Sequence, residues 1–154
     1  MSIINEIISN KVLLAAVSSW CAAQVIKFIL ILIRDKKVDL SILVAPGGMP
    51  SGHSATVMAL SVGVGRMQGF DSALFAIALS MAFIIMYDAA GIRRAAGMQA
   101  AAINKIVERM KQGNIIKENR QITVNELREI LGHTPMQVVV GAILGIVLAI
   151  LICR

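Results

Sequence analysis

The sequence predicts an all-α fold, an integral membrane four-helix bundle with a cytoplasmic amphipathic helical insertion before the last span. Three observations predict it. Of the 154 residues, 57% are hydrophobic, where soluble domains average about 45–50%. The apolar residues fall into separate runs near the roughly 20 residues that a spanning helix needs. The basic residues gather in the segments between those runs, mostly on one side. The length is that of one domain, residues 1–154.

The first span is residues 12–33, an apolar run interrupted by Gln24 and Lys27. It is too long for a signal-peptide core and lacks a small-x-small cleavage site, so it is read as a mature helix. The second, residues 53–68, is rich in Ala, Gly and Ser. Alone it is a weak span, but small residues let helices pack closely in lipid, and the topology needs it. The third, 72–90, carries no charge after Asp71 until Asp88, and the fourth, 134–153, carries none. Cys21 and Cys153 make no disulfide framework or metal spacing and read as packing residues.

Between the third and fourth spans lies an insertion, 95–132. Ile103, Ile106, Val107 and Met110 recur at helical spacing, with Asn104, Lys105, Glu108, Arg109 and Lys111 on the other face. That pattern reads as a basic amphipathic helix on the cytoplasmic interface, with a cytoplasmic helix packed on the bundle as the close alternative. Thr123 and Glu126 match a capping box for a short helix over 124–131 that ends at Gly132. Thr134 and Pro135 then predict the cap and first turn of the last span, with His133 held in the corner before it.

Charge sets the orientation. Of fifteen Lys and Arg residues, Lys11, Arg66 and Arg154 lie on the side of both termini, eleven lie opposite, and Lys27 is intramembrane. The positive-inside rule makes the richer side cytoplasmic. Discounting Arg34, Arg93 and Arg94 as chemical residues still leaves eight against three.

The residues that can carry chemistry all fall at that side. Lys27 and Arg34 are seven apart, on one helix face and about 10 Å apart along the axis. A central Lys costs about 2.5–3.5 kcal/mol in a bilayer, so it needs either a partner or a snorkelling path. In "PSGH", the N–H groups of Ser51, Gly52 and His53 open a helix and can bind phosphate. Gly52 permits close approach, and His53 can give a proton to a leaving oxygen. The tetrapeptide alone serves equally well as a capping turn. In "YDAAGIRRAAG", adjacent Arg93 and Arg94 cannot share one helix face. One fork suits phosphate, and the other suits headgroups or Asp88. His133 by itself reads as a cap or interface residue.

These residues, in this order, resemble the type 2 phosphatidic acid phosphatase superfamily, related to acid phosphatases and vanadium haloperoxidases, and most closely a small divergent bacterial branch of it. Lys27 and Arg34 match its Lys-x6-Arg, Pro50–His53 match its Pro-Ser-Gly-His, and "GHTPMQVVVGAILG" looks like its Gly-x-His-x-Pro-x-Asp-Val block. The resemblance implies metal-independent phosphoryl transfer without a cofactor. His133 would attack phosphorus, His53 would protonate the leaving alkoxide, and Lys27, Arg34, Ser51, Gly52 and Arg93 or Arg94 would bind phosphoryl oxygens. The chain departs from the pattern in four places. Asp35 follows Arg34, no serine precedes the arginine pair, 38 residues separate that pair from His133, and Gln137 replaces the Asp that orients the histidine. Asp88 or Glu129 can supply the missing charge if the fold brings either near.

The expected activity is hydrolysis of a lipid phosphate or pyrophosphate, on substrates of phosphatidate or phosphatidylglycerophosphate type met at the cytoplasmic face. The alternative is a non-catalytic membrane protein that binds or moves anionic headgroups, and a third is a merely structural membrane protein. Expected partners are the lipid substrate and membrane lipids. A small bundle leaves room for a homodimer. Nucleic-acid binding is not expected: a membrane explains the positive charge, and aromatics are only 4%.

Overall fold

A computed structural model describes residues 2–36, 47–112 and 132–154. These residues form six helices: α1 (Ile3–Ser9), α2 (Lys11–Asp35), α3 (Gly52–Gln68), α4 (Ala73–Ala90), α5 (Ile92–Gln112) and α6 (Pro135–Ile152). The helices α2, α3, α4 and α6 lie over the four segments expected to span the membrane. The capping box at Thr123 and the helix over 124–131 lie outside the described residues, as do Asp35's side chain and Glu129.

Short polar residues start these helices, as unpaired N–H groups at a helix start require. Asn10 accepts from Leu13 N at 3.0 Å to begin α2, Ser72 accepts from Phe75 N at 3.2 Å to begin α4, and Ser51 caps α3. Thr134 and Gln137 form a reciprocal capping box at α6, with Pro135 in its first turn. Asn10 also closes α1, a short helix without a buried residue that hydropathy gives no sign of.

Helices α2, α3, α4 and α6 alternate in direction. At one end Val12 and Cys153 meet Gly63, Lys11 Nζ donates to Arg154 O at 2.9 Å, and Arg66 Nε donates to Cys153 O at 2.8 Å. Lys11 and Arg66 thus cap the C-terminal end of α6, where carbonyls lack partners and the dipole is negative. At the other end, Ser51 N donates to Gln137 O and His133 N donates to Ala89 O, both at 3.0 Å, which ties α3 to α6 and α6 to α4.

The middle of the bundle is α3. It packs on α2, α4 and α6, while α4 and α6 barely touch each other. Its contact with α6 is made by small residues: a Cβ at Gly141 would strike the Ser51 carbonyl, and one at Gly145 the Ala55 carbonyl. Below these, Ala15, Ala59, Ala149 and Cys153 form a buried cluster. Cys153 is therefore a packing residue, but Cys21 is not, since the turn of α2 puts it on the exposed face.

Among the described residues, three segments are long and apolar enough to cross a membrane: α2, α4 continuing into α5, and α6. Their outer faces expose Leu14, Ile29, Ile77, Phe83, Ile143 and Val147, as lipid contact requires. Helix α3, with 17 residues, is not one of the three. Its small and polar residues suit a helix that its neighbours shield from lipid. The fold is an all-α membrane bundle.

Helix α5 begins at Ile92, directly after the break at Gly91 and well before the Ile103–Met110 pattern that betrays it. Ile92, Ile103 and Ile106 on its apolar face are exposed. Arg94, Gly97, Met98 and Ala101, spaced as one helix face, line a cavity at the His133 end.

Candidate active site

His53 in the first turn of α3 and His133 just before α6 come together at this end. Their rings stand edge to face, with centroids 6.0 Å apart and planes at 66°. His133 is buried, at 5% exposure, while His53 is exposed. The chain brings them together through backbone bonds: His133 hangs from the last turn of α4, and Ser51, two residues before His53, hangs from the first turn of α6.

Gln137 joins these pieces. Its backbone oxygen takes the Ser51 N–H, and its side-chain oxygen takes the Thr134 N–H at 3.0 Å and lies 3.3 Å from His133 Nδ1. The Thr134 N–H can only donate, so the atom facing His133 is the amide oxygen, an acceptor. The neutral imidazole therefore carries its proton on Nδ1 and a lone pair on Nε2.

Burial holds the His133 pKa below its ordinary 6.5. The Gln137 hydrogen bond works against this, the positive charges of His53 and Lys27 reinforce it, and the Gly48 carbonyl beside the ring works against it. The balance favours the neutral ring.

Lys27 is buried, at 4% exposure, with its stem under Gly48, where an added Cβ would come within 3.0 Å of Lys27 Cδ. Gly48 has φ +84°, a backbone that favours glycine, and that conformation lays the loop over the lysine. Lys27, Arg93 and Asp88 all act electrostatically on His53. Arg93 Nε donates to Asp88 Oδ2 at 2.6 Å across the α4–α5 joint. Arg94 instead lines a cavity of about 410 Å³ together with Gly48, His133, Thr134 and Gln137. Arg34 stands two turns beyond Lys27 on α2, exposed, and is not among the residues lining the cavity.

One expected phosphate ligand is placed differently. Ser51 has no exposed surface: its N–H is given to Gln137 and its Oγ accepts from Ser54 N at 3.4 Å and Ser54 Oγ at 3.1 Å. It is a helix cap and a clasp between α3 and α6. Gly52 also lets α2 approach closely, since a Cβ there would sit 3.3 Å from Trp20 Cδ1 and 3.4 Å from Gln24 Nε2. Conversely, Gly48, Gly97 and Ala101 line the cavity without having been singled out. The doubled glycine at Gly47–Gly48 was the available signal. Among the described residues, no group of His, Cys, Asp and Glu is placed to hold a metal ion.

No solved structure matches the chain. It is 40% identical over 152 residues, 96% of each chain, to the uncharacterized membrane protein YuiD of Bacillus subtilis (strain 168). Residues 8–148 match the family described as "Divergent PAP2 family". Those residues take in α2 to α5, most of α6 and both histidines, and the chain belongs to the divergent PAP2 family.

Proposed function

We propose that the protein is a membrane phosphatase that hydrolyses a lipid phosphate or pyrophosphate through a phosphohistidine. The observation that carries this reading is the pairing of His133, oriented through Nδ1 by Gln137, with His53 at a ring separation of 6.0 Å. Hydrogen-bonded proton transfer needs heavy atoms within about 2.6–3.2 Å, and two rings at this separation can each meet one phosphoryl group.

In the first step His133 Nε2 bonds to phosphorus, the ester P–O bond breaks, and the leaving alkoxide takes the proton of protonated His53. In the second, water attacks phosphorus and gives its proton to His53, the N–P bond breaks, and inorganic phosphate leaves. Arg94 binds the equatorial oxygens and Lys27 adds buried positive charge, the kind of preorganised stabilisation that dominates phosphoryl transfer. Arg93, through Asp88, sets the field at His53. The residues that do this chemistry are all protein side chains, and the reading needs no metal.

The charge asymmetry supports a cytoplasmic site, with eleven basic residues on its side and three on the other. Helix α5, basic on one face and apolar on another, then lies at that boundary. Substrates are lipids whose phosphate faces the cytoplasm.

Gln137 favours a second reading, because a neutral amide leaves the imidazolium without a counter-charge. In that reading the same pocket binds anionic headgroups without turnover. Purified protein in detergent, given a lipid phosphate with chelator present, decides between them. The phosphatase releases phosphate and forms an acid-labile phosphohistidine, both lost in His133→Ala. Saturable binding with neither product supports the second reading.

A further inference from the structure

Helices α4 and α6 both pack along α3 but barely touch each other. The space between them is an apolar crevice of about 530 Å³, lined by Phe83, Ile84, Met86 and Tyr87 of α4 and Val138 of α6. This volume lies within the roughly 300–1,000 Å³ of ligand sites. The outer wall is open to lipid: Phe83, Ile84 and Tyr87 are 61%, 67% and 78% exposed.

The crevice meets the candidate site at one corner. Tyr87 precedes Asp88, the carboxylate bound to Arg93, and Ala89 O holds the N–H of His133 at 3.0 Å. Val138 follows Gln137, the residue that faces His133 Nδ1. The first turn of α6 therefore borders two hollows, one lined by Arg94 and His133 and an apolar one open toward the bilayer. Tyr87, an amphipathic ring beside a charged residue, sits where such rings mark the depth of the headgroups.

We propose that this crevice seats a hydrocarbon chain of the lipid phosphate, so that substrate reaches the His133 cavity sideways from the bilayer. The proposal rests on the lipid phosphatase reading. Moving a chain from lipid into an apolar groove gains little hydrophobic free energy, because lipid tails are as apolar as the groove. What the crevice supplies is orientation: a chain fixed between α4 and α6 fixes where its phosphate lies. A soluble phosphate ester gains nothing from it.

The test fills the crevice from either wall, with Val138→Trp and Ile84→Trp. Turnover is measured on a long-chain diacyl phosphate monoester and on an analogue whose chains are too short to enter. Both variants lower the long-chain to short-chain ratio of kcat/KM by about 10-fold or more, since small misplacement of a reacting group is costly. Retained short-chain turnover shows that the variants are folded, and an unchanged ratio overturns the proposal. In parallel, a long-chain phosphate monoester with a photoreactive diazirine in one chain labels wild-type protein. Labelling concentrated on Phe83–Tyr87 and Val138, and lost in the Trp variants, supports the crevice. Labelling spread evenly over the outer faces of α2 and α4 overturns it. If wild-type protein turns over neither substrate, the phosphatase reading fails and the labelling alone decides the crevice.

Discussion

The side-chain oxygen of Gln137 lies 3.3 Å from His133 Nδ1 while the N–H of Thr134 holds that oxygen at 3.0 Å. One amide thus closes the cap of α6 and sets the tautomer of the buried imidazole. It orients the ring without charging it. Gln137→Asp keeps the cap, since a carboxylate at the third helical position accepts the same N–H and favours the helix dipole. In the phosphatase reading it stabilises the imidazolium and raises kcat, by more than about 10-fold within the roughly 10⁴ that the equivalent charge is worth in a serine-protease triad. Steady-state kinetics checks this, and unchanged turnover would mean that His133 is not the attacking group.

A second expectation concerns pH. Burial keeps the His133 pKa below 6.5 in the folded chain, whereas the unfolded chain takes up this proton near 6.5. Below 6.5 the unfolded state binds more protons, so acid favours unfolding until the pH falls below the folded value. Thermal stability in detergent should drop between pH 7 and 5.5, with a smaller drop in His133→Asn. Turnover should keep its acid limb below 6.5. A titration of His133 by NMR with a midpoint above 6.5 would contradict both.

The two arginines should separate in function. Arg94 lines the cavity and Arg93 is held by Asp88. Arg94→Ala is expected to lower kcat/KM by about 10²-fold, the usual cost of one lost oxyanion donor. Arg94→Lys should recover little, because an ammonium cannot reproduce the planar fork. Arg93→Ala and Asp88→Asn should resemble each other and cost less. Equal losses for both arginines would mean that they share the phosphate.

The close approach of α3 and α6 predicts a stability effect remote from the chemistry. A side chain at Gly145 meets the Ala55 carbonyl and must push the helices apart. Gly145→Ala should destabilise by about 1–3 kcal/mol, the range for overpacking, measurable as a lowered melting temperature in detergent. Val147→Ala, on the outer face of α6, should change it far less. A stable Gly145→Ala would show that the two helices can separate freely.

Hydropathy made α2, α4 and α6 legible, because in lipid an apolar run of this length has few other uses. Helix α3 was legible only through its cap at Ser51 and its small residues, since shielding by three neighbours removes the need for apolar surface. The start of α5 was hidden because Arg93 and Arg94 stand where an apolar period would show, and α1 was too short to register. At the site, residue types led to the histidines, Lys27 and the arginine pair. What they could not give was which side of a residue faces a neighbour. Ser51 belongs to a phosphate-like motif, yet the structure spends it on a cap. Gly48 acquires its place over Lys27 only once the chain folds back.

The central position of α3 bears on how the chain enters the bilayer. Its 17 residues include His53, Ser54, Thr56, Ser61 and three glycines, a poor candidate for translocation machinery that weighs segments one at a time. Membrane integration of this stretch is therefore expected to be collective, with flanking α2 and α4 drawing it in and α6, made after them, sealing it. A nascent chain cut before α6 should leave α3 accessible to water-soluble reagents even where its partners are already embedded.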